Sequence, residues 1–114
     1  MLDVSRERFE ELVGRALDEI PDALWERMDN VVVTVVERPP EPGLLGLYEG
    51  IPLTERDGGY HGVLPDKISI YRSSLLDFCA TEDDIVEQVR ITVIHEVAHH
   101  FGIDDDRLDE LGWA

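Results

Sequence analysis

His95, Glu96, His99 and Asp105 are the side chains of this 114-residue chain whose types and spacing could do chemistry together. They fall in the run His-Glu-Val-Ala-His-His-Phe-Gly-Ile-Asp-Asp that starts at His95. On a helix, His95 and His99 lie one turn apart, offset by roughly 40° about the axis and ~6 Å along it. Two imidazoles so placed can share one tetrahedral Zn²⁺. Glu96, beside the first imidazole, is placed to act as general base on an attacking water. Gly102 can end the helix, because glycine accepts the left-handed backbone that a helix stop needs. A sharp turn there would bring Asp105 back as a third protein ligand, leaving a fourth position open. Asp104 and Asp106 are neighbours that could take its place if the turn runs differently.

The helix carrying these residues is expected from about Glu82 to Phe101. Thr81 is a good N-cap, and Glu82, Asp83 and Asp84 put negative charge in the first turn, where the helix dipole favours it. Projected at ~100° per residue, Val89, Val93, Ile94, Val97 and Phe101 cover a broad apolar arc. Thr92, His95, Glu96 and His99 occupy the remaining sector. A chance match to the pattern has no reason to sort its polar residues onto one side. His100 falls among the apolar positions and reads as a packed histidine with one hydrogen-bond partner, not a ligand.

The wider run, His-Glu-Val-Ala-His-His-Phe-Gly-Ile-Asp-Asp-Asp-Arg-Leu-Asp-Glu-Leu-Gly, resembles the zincin metallopeptidases. Within them it is similar to the extended metzincin-type pattern, with aspartate in place of the third histidine. It looks most like a family of small bacterial zincin-like proteins. That resemblance extends to Leu45–Arg56 and to the stretch around Ile68–Tyr71. It implies an α+β minimal zincin-like fold, a small mixed sheet packed with helices that include the motif helix. It also implies one catalytic Zn²⁺, His95, His99 and Asp105 as its ligands, Glu96 as general base, and a peptide or protein substrate. In zincins the sheet edge beside the active helix takes the substrate as an added strand. Ile68, Ser69, Ile70 and Tyr71 are the candidates for that role here, with Tyr71 a possible hydrogen-bond donor to an oxyanion. Metzincins carry a methionine turn beneath the metal, downstream of the motif. The methionines here are Met1 and Met28, both upstream, so the floor of the site must be built otherwise, for example by Phe101 or Trp113.

The elements that must position these groups can be read in order. Ser5 to Glu19 is an amphipathic helix with Ser5 as N-cap and Phe9, Leu12, Val13, Ala16 and Leu17 at helical spacing. Asp22 to Met28 is a further short helical segment. The β-branched run Val31–Val36 is the clearest strand, expected to be central because it is apolar on both faces. Leu47-Tyr48 and Pro52-Leu53-Thr54 read as short strands. Asp57-Gly58-Gly59 is a turn signal leading into residues 60–64. His61 beside it has no ligand-spaced neighbours and reads as a surface residue. Lys67–Tyr71 alternates like a strand, and Arg72–Cys79 reads as a short helix with Leu75, Leu76 and Phe78 buried. One aspartate, most simply Asp105 or Asp106, would cap a last short helix pinned by Leu108, Leu111 and Trp113.

A single domain spanning 1–114 fits the length, and 43% hydrophobic residues can form its core. The lone cysteine, Cys79, has no partner for an internal disulfide and sits among apolar residues, as buried thiols do. The N-terminus lacks an apolar leader core, and no apolar run is long enough to span a bilayer, which suggests a cytoplasmic protein. A formal charge of −16 opposes binding to nucleic acid or anionic membranes. It leaves two rivals to a peptidase. One is a metal-dependent endoribonuclease, since a ribosomal-RNA-processing family has a related histidine pattern, but with glycine where Glu96 stands. The other is a non-catalytic zincin-like module that binds peptides, against which an intact Glu96 argues.

Overall fold

A computed structural model describes residues 2–50 and 65–113. Its elements in chain order are α1 (Arg6–Asp18), α2 (Asp22–Arg27), β1 (Val31–Val36), β2 (Gly46–Glu49), β3 (Asp66–Tyr71), α3 (Arg72–Phe78), α4 (Glu82–His100) and α5 (Asp105–Leu111). The expected strand at 52–54, the turn at 57–59 and His61 lie outside the described residues.

The strands form one mixed sheet in the order β1-β3-β2, with β1 parallel and β2 antiparallel to β3. β3 is therefore the central strand and β1 an edge, the reverse of the expectation for Val31–Val36. A β-branched run favours the extended backbone but does not say how many neighbours the strand has. Burial marks the difference: Ile68, Ser69, Ile70 and Tyr71 are all buried, whereas Val32 on β1 is 42% exposed. Arg6 covers part of the β1 edge by donating from Nη2 to the Val35 carbonyl at 2.7 Å.

The core lies between the sheet and the helices. Phe9 and Leu12 from α1, Leu24 from α2, Ile68 and Ile70 from β3, Leu75 from α3, Ile85, Val89, Val93, Ile94 and Val97 from α4, and Leu108 from α5 are fully buried. Each such side chain contributes about 1.5–3 kcal/mol relative to exposure, so a chain of this size sustains its fold without a disulfide. Cys79 is buried, and desolvation, with the nearby Asp84 carboxylate, pushes its thiol pKa up, which disfavours the thiolate. Two expected core members are exposed, Phe78 at 64% and Phe101 at 41%. Both sit at helix ends, where the face pointing inward is lost as the helix stops. No described helix is long and apolar enough to cross a membrane.

The helix α4 is 19 residues long and is anchored at both ends by local sequence. Thr81 accepts from the Asp84 N–H, and the Asp84 carboxylate accepts from the Thr81 and Ala80 N–H groups, a reciprocal capping box. Arg8 of α1 donates to Glu82 in the first turn through Nε and Nη2, tying the two helices together. At the other end Gly102 has φ +77°, its N–H donates to the His99 carbonyl, and Ile103 N–H donates to the Ala98 carbonyl. This paired pattern is a Schellman stop, and it needs the left-handed backbone that glycine adopts without strain. The chain then reverses into α5.

Candidate metal centre

The last two turns of α4 carry the chemical face. Ile94, Val97 and Ala98 point into the core, while His95 and Glu96 are half-buried and His99 is exposed. The His95 and His99 rings face one another with centroids 6.0 Å apart and planes 30° apart. Beyond the Gly102 stop, Asp105 opens α5, and its Oδ1 lies 3.3 Å from His99 Nε2. Two ligands of one tetrahedral zinc, each about 2.1 Å from the ion, stand roughly 3.4 Å apart. His99 and Asp105 thus already have a ligand-to-ligand spacing. Asp104 is occupied otherwise: it is the N-cap of α5 and accepts from Arg107 N–H at 2.9 Å. This corrects the expectation that Asp105 or Asp106 caps that helix. A cap must precede the first helical residue, and the turn after Gly102 is one residue tighter than assumed. Asp106 is exposed in the first turn.

Among the described residues no three His, Cys, Asp or Glu side chains converge closely enough to enclose an ion. The donors nevertheless suit zinc in kind: two imidazoles on one helix face and a carboxylate already beside one of them. The face is open to solvent, with side-chain exposure of 53% for His99 and 72% for Asp105.

Strand β2 runs along α4 and sets the surroundings of Glu96. Positions 46, 48 and 50 of the chain meet positions 92, 96 and 100 of the helix. A Cβ at Gly46 would lie 2.6 Å from Thr92 Cγ2, Tyr48 N–H donates to Glu96 Oε1 at 3.0 Å, and a Cβ at Gly50 would lie 3.5 Å from His100 Cε1. Two strand residues advance about 6.7 Å and four helical residues ~6.0 Å, so the two stay in step over this length. Gly46 has no side chain because none would fit between the strand and Thr92. Tyr71 N–H donates to the Leu45 carbonyl, so positions 45, 47 and 49 face β3 and the main-chain groups of Gly46 and Tyr48 turn outward. The Glu96 carboxylate therefore sits at the outer edge of β2.

The candidate substrate strand Ile68–Tyr71 does not lie at that edge. It is bonded to β1 on one side and β2 on the other, leaving no main-chain row for a further strand. Tyr71 lies with Leu47, Ser69, Val36 and Pro40 on the sheet face turned away from the α4 side, so its hydroxyl is not brought to Glu96. His100 is exposed and not packed among the apolar positions as expected: it stacks on Tyr48 and meets Phe101 edge-on at the surface. Sequence reasoning gave Tyr48 no place at the site. The signal was the alternation Gly46-x-Tyr48-x-Gly50, which clears one strand face for close approach to a helix.

A family model described as zincin-like metallopeptidase matches residues 18–113. Among solved structures, a conserved hypothetical protein from T. thermophilus is 31% identical, with a TM-score of 0.60 over 86% of this chain and 94% of that one. No curated protein matches. A family match running through both the sheet and the motif helix, on an α+β fold with a small mixed sheet, means that the chain belongs to the zincin-like metallopeptidases.

Proposed function

We propose that this chain is a zinc-dependent peptidase in which His95, His99 and Asp105 hold the metal and Glu96 is the general base. The observation that carries the reading is the meeting of Glu96 with the outer edge of β2 at 3.0 Å, one helical turn from the His99–Asp105 pair. Base, metal-binding face and an edge strand share one place. When bound, zinc would supply a Lewis acid for the scissile carbonyl and lower the pKa of the attacking water. Glu96 accepts the proton of that water and returns it to the leaving amine. The outward main-chain groups of Gly46 offer a substrate peptide a hydrogen-bonding edge beside Glu96, the role that Ile68–Tyr71 cannot fill. Affinity from main-chain bonds carries little side-chain selectivity, consistent with an open, shallow site. The charge of −16 favours peptide over RNA as substrate.

The test is a pair of variants. Glu96→Ala should keep one zinc per chain and lose at least about 100-fold in turnover, the usual contribution of a general base. His95→Ala should lose zinc and turnover together. Full activity in Glu96→Ala would falsify the mechanism.

A further inference from the structure

The side chains of Tyr48 and Asp66 take no part in the chemistry proposed above, yet they are joined to it through the Tyr48 main chain. The Tyr48 ring lies on the His100 imidazole, with centroids 4.0 Å apart and planes 19° apart. Its hydroxyl donates to Asp66 Oδ2 at 2.7 Å, and His100 Nε2 stands 3.9 Å from the same oxygen. One side chain thus links β2, where it originates, to the first residue of β3 and to the last turn of α4. The main-chain N–H of the same residue is the donor to Glu96 Oε1.

β2 is four residues long and, among the described strands, lies at the sheet edge. Short edge strands fray, and misplacing a catalytic group by about 1 Å can cost on the order of 100-fold in rate. The stack and the phenol bond close the far end of β2 onto the helix, two residues before the chain leaves it at Gly50. One oxygen of Glu96 is then fixed by a main-chain donor, which leaves Oε2 for the water of the proposed mechanism.

We infer that Tyr48 is a positioning residue for the general base: its ring, held by His100 and Asp66, fixes the main-chain N–H that orients the Glu96 carboxylate. This rests on Glu96 being the base. Hydrogen exchange at the amide of residue 48 in the metal-free protein reads the contact directly. In Tyr48→Ala that amide should exchange at least tenfold faster than in wild type, after allowance for the side chain's intrinsic rate. In the zinc-loaded enzyme the same variant should lose at least tenfold in kcat, with KM and zinc affinity changed less than threefold. Tyr48→Phe keeps the stack and should retain most of both the protection and the kcat. If Tyr48→Ala fails to fold, Tyr48→Leu carries the same expectations. Wild-type protection in the alanine variant, or lost protection with kcat unchanged, would overturn the inference. So would a fall in zinc affinity that tracks the loss of kcat, because the ring would then be holding His99 and not Glu96. The peptidase reading fails separately. If wild type turns over no peptide, while Glu96→Ala deprotects the amide of residue 48 as much as Tyr48→Ala does, the clamp on Glu96 stands and the hydrolytic role falls.

Discussion

At its N-terminus α4 is secured by groups within four residues of Thr81 and by two ion pairs to α1, Arg8–Glu82 and Arg15–Asp83; at its C-terminus it meets β2, α5 and a reversing chain within two turns. The first end satisfies orphan N–H groups with its own side chains, through the Thr81–Asp84 capping box, and the residues that follow, Ile85, Val86 and Val89, go straight into the core. The second end satisfies its orphan carbonyls through the Gly102 stop and leaves its side chains to other elements: Glu96 to Tyr48, His100 to the Tyr48 ring, His99 to Asp105. One end is built for holding the fold and the other for presenting polar groups to solvent. Perturbing each should therefore give different signatures.

Asp105→Ala should separate them most sharply. Loss of a group that merely supports a ligand costs about 10–100-fold in metal affinity, so loss of a ligand should cost more than about 100-fold. The thermal midpoint of the metal-free protein should hardly move, because the Asp105 side chain is 72% exposed. Zinc titration and a melting curve on the same sample check both halves, and unchanged zinc affinity would remove Asp105 from the ligand set. Thr81→Ala should do the converse. Removing an N-cap costs about 1 kcal/mol of stability, seen by denaturant titration, and zinc affinity should stay at the wild-type value. A zinc-binding defect in that variant would mean that the two ends are coupled.

The smallest effect concerns the Arg8–Glu82 ion pair at the N-terminal end. The Arg8 guanidinium, by hydrogen bond and charge, holds the Glu82 carboxyl below its ordinary value of 4.5. A carboxylate with a lowered pKa in the folded state contributes stability that is full above its ordinary value and is lost as pH falls through the lowered one. Wild type should therefore melt slightly above Glu82→Gln at neutral pH, and the gap should close on acidification below about pH 4.5. The pair is solvated, so the gap is small. A gap that persists in strong acid would point to helix packing and not to charge.

What the sequence makes legible follows the same division. The bounds of α4 were readable because Thr81, its acidic first turn and Gly102 are local signals that act within four residues. So were α1, from Ser5 and its apolar spacing, and the pairing of His95 with His99 on one face. The order of the strands was not, because β1 and β3 are both good strand formers and their neighbours are fixed only by tertiary packing. The resemblance to zincins therefore assigns Ile68–Tyr71 an edge that β2 occupies. Periodicity places Phe78 and Phe101 inward, but it loses its meaning where a helix ends. Among three consecutive aspartates, composition could not say which one caps. The closeness of the turn after Gly102 gives that role to Asp104 and leaves Asp105 facing His99.

Asp105 is both the first residue of α5 and the neighbour of a histidine on α4. An ion shared by the two side chains would staple the C-terminal helix across the hairpin bend. Part of the binding energy of the metal would then appear as folding energy of residues 104–113, since ligands ordered by binding draw on the same free energy. The tail would become a reporter of occupancy: resistant to limited proteolysis when loaded, and nicked first when a chelator is added.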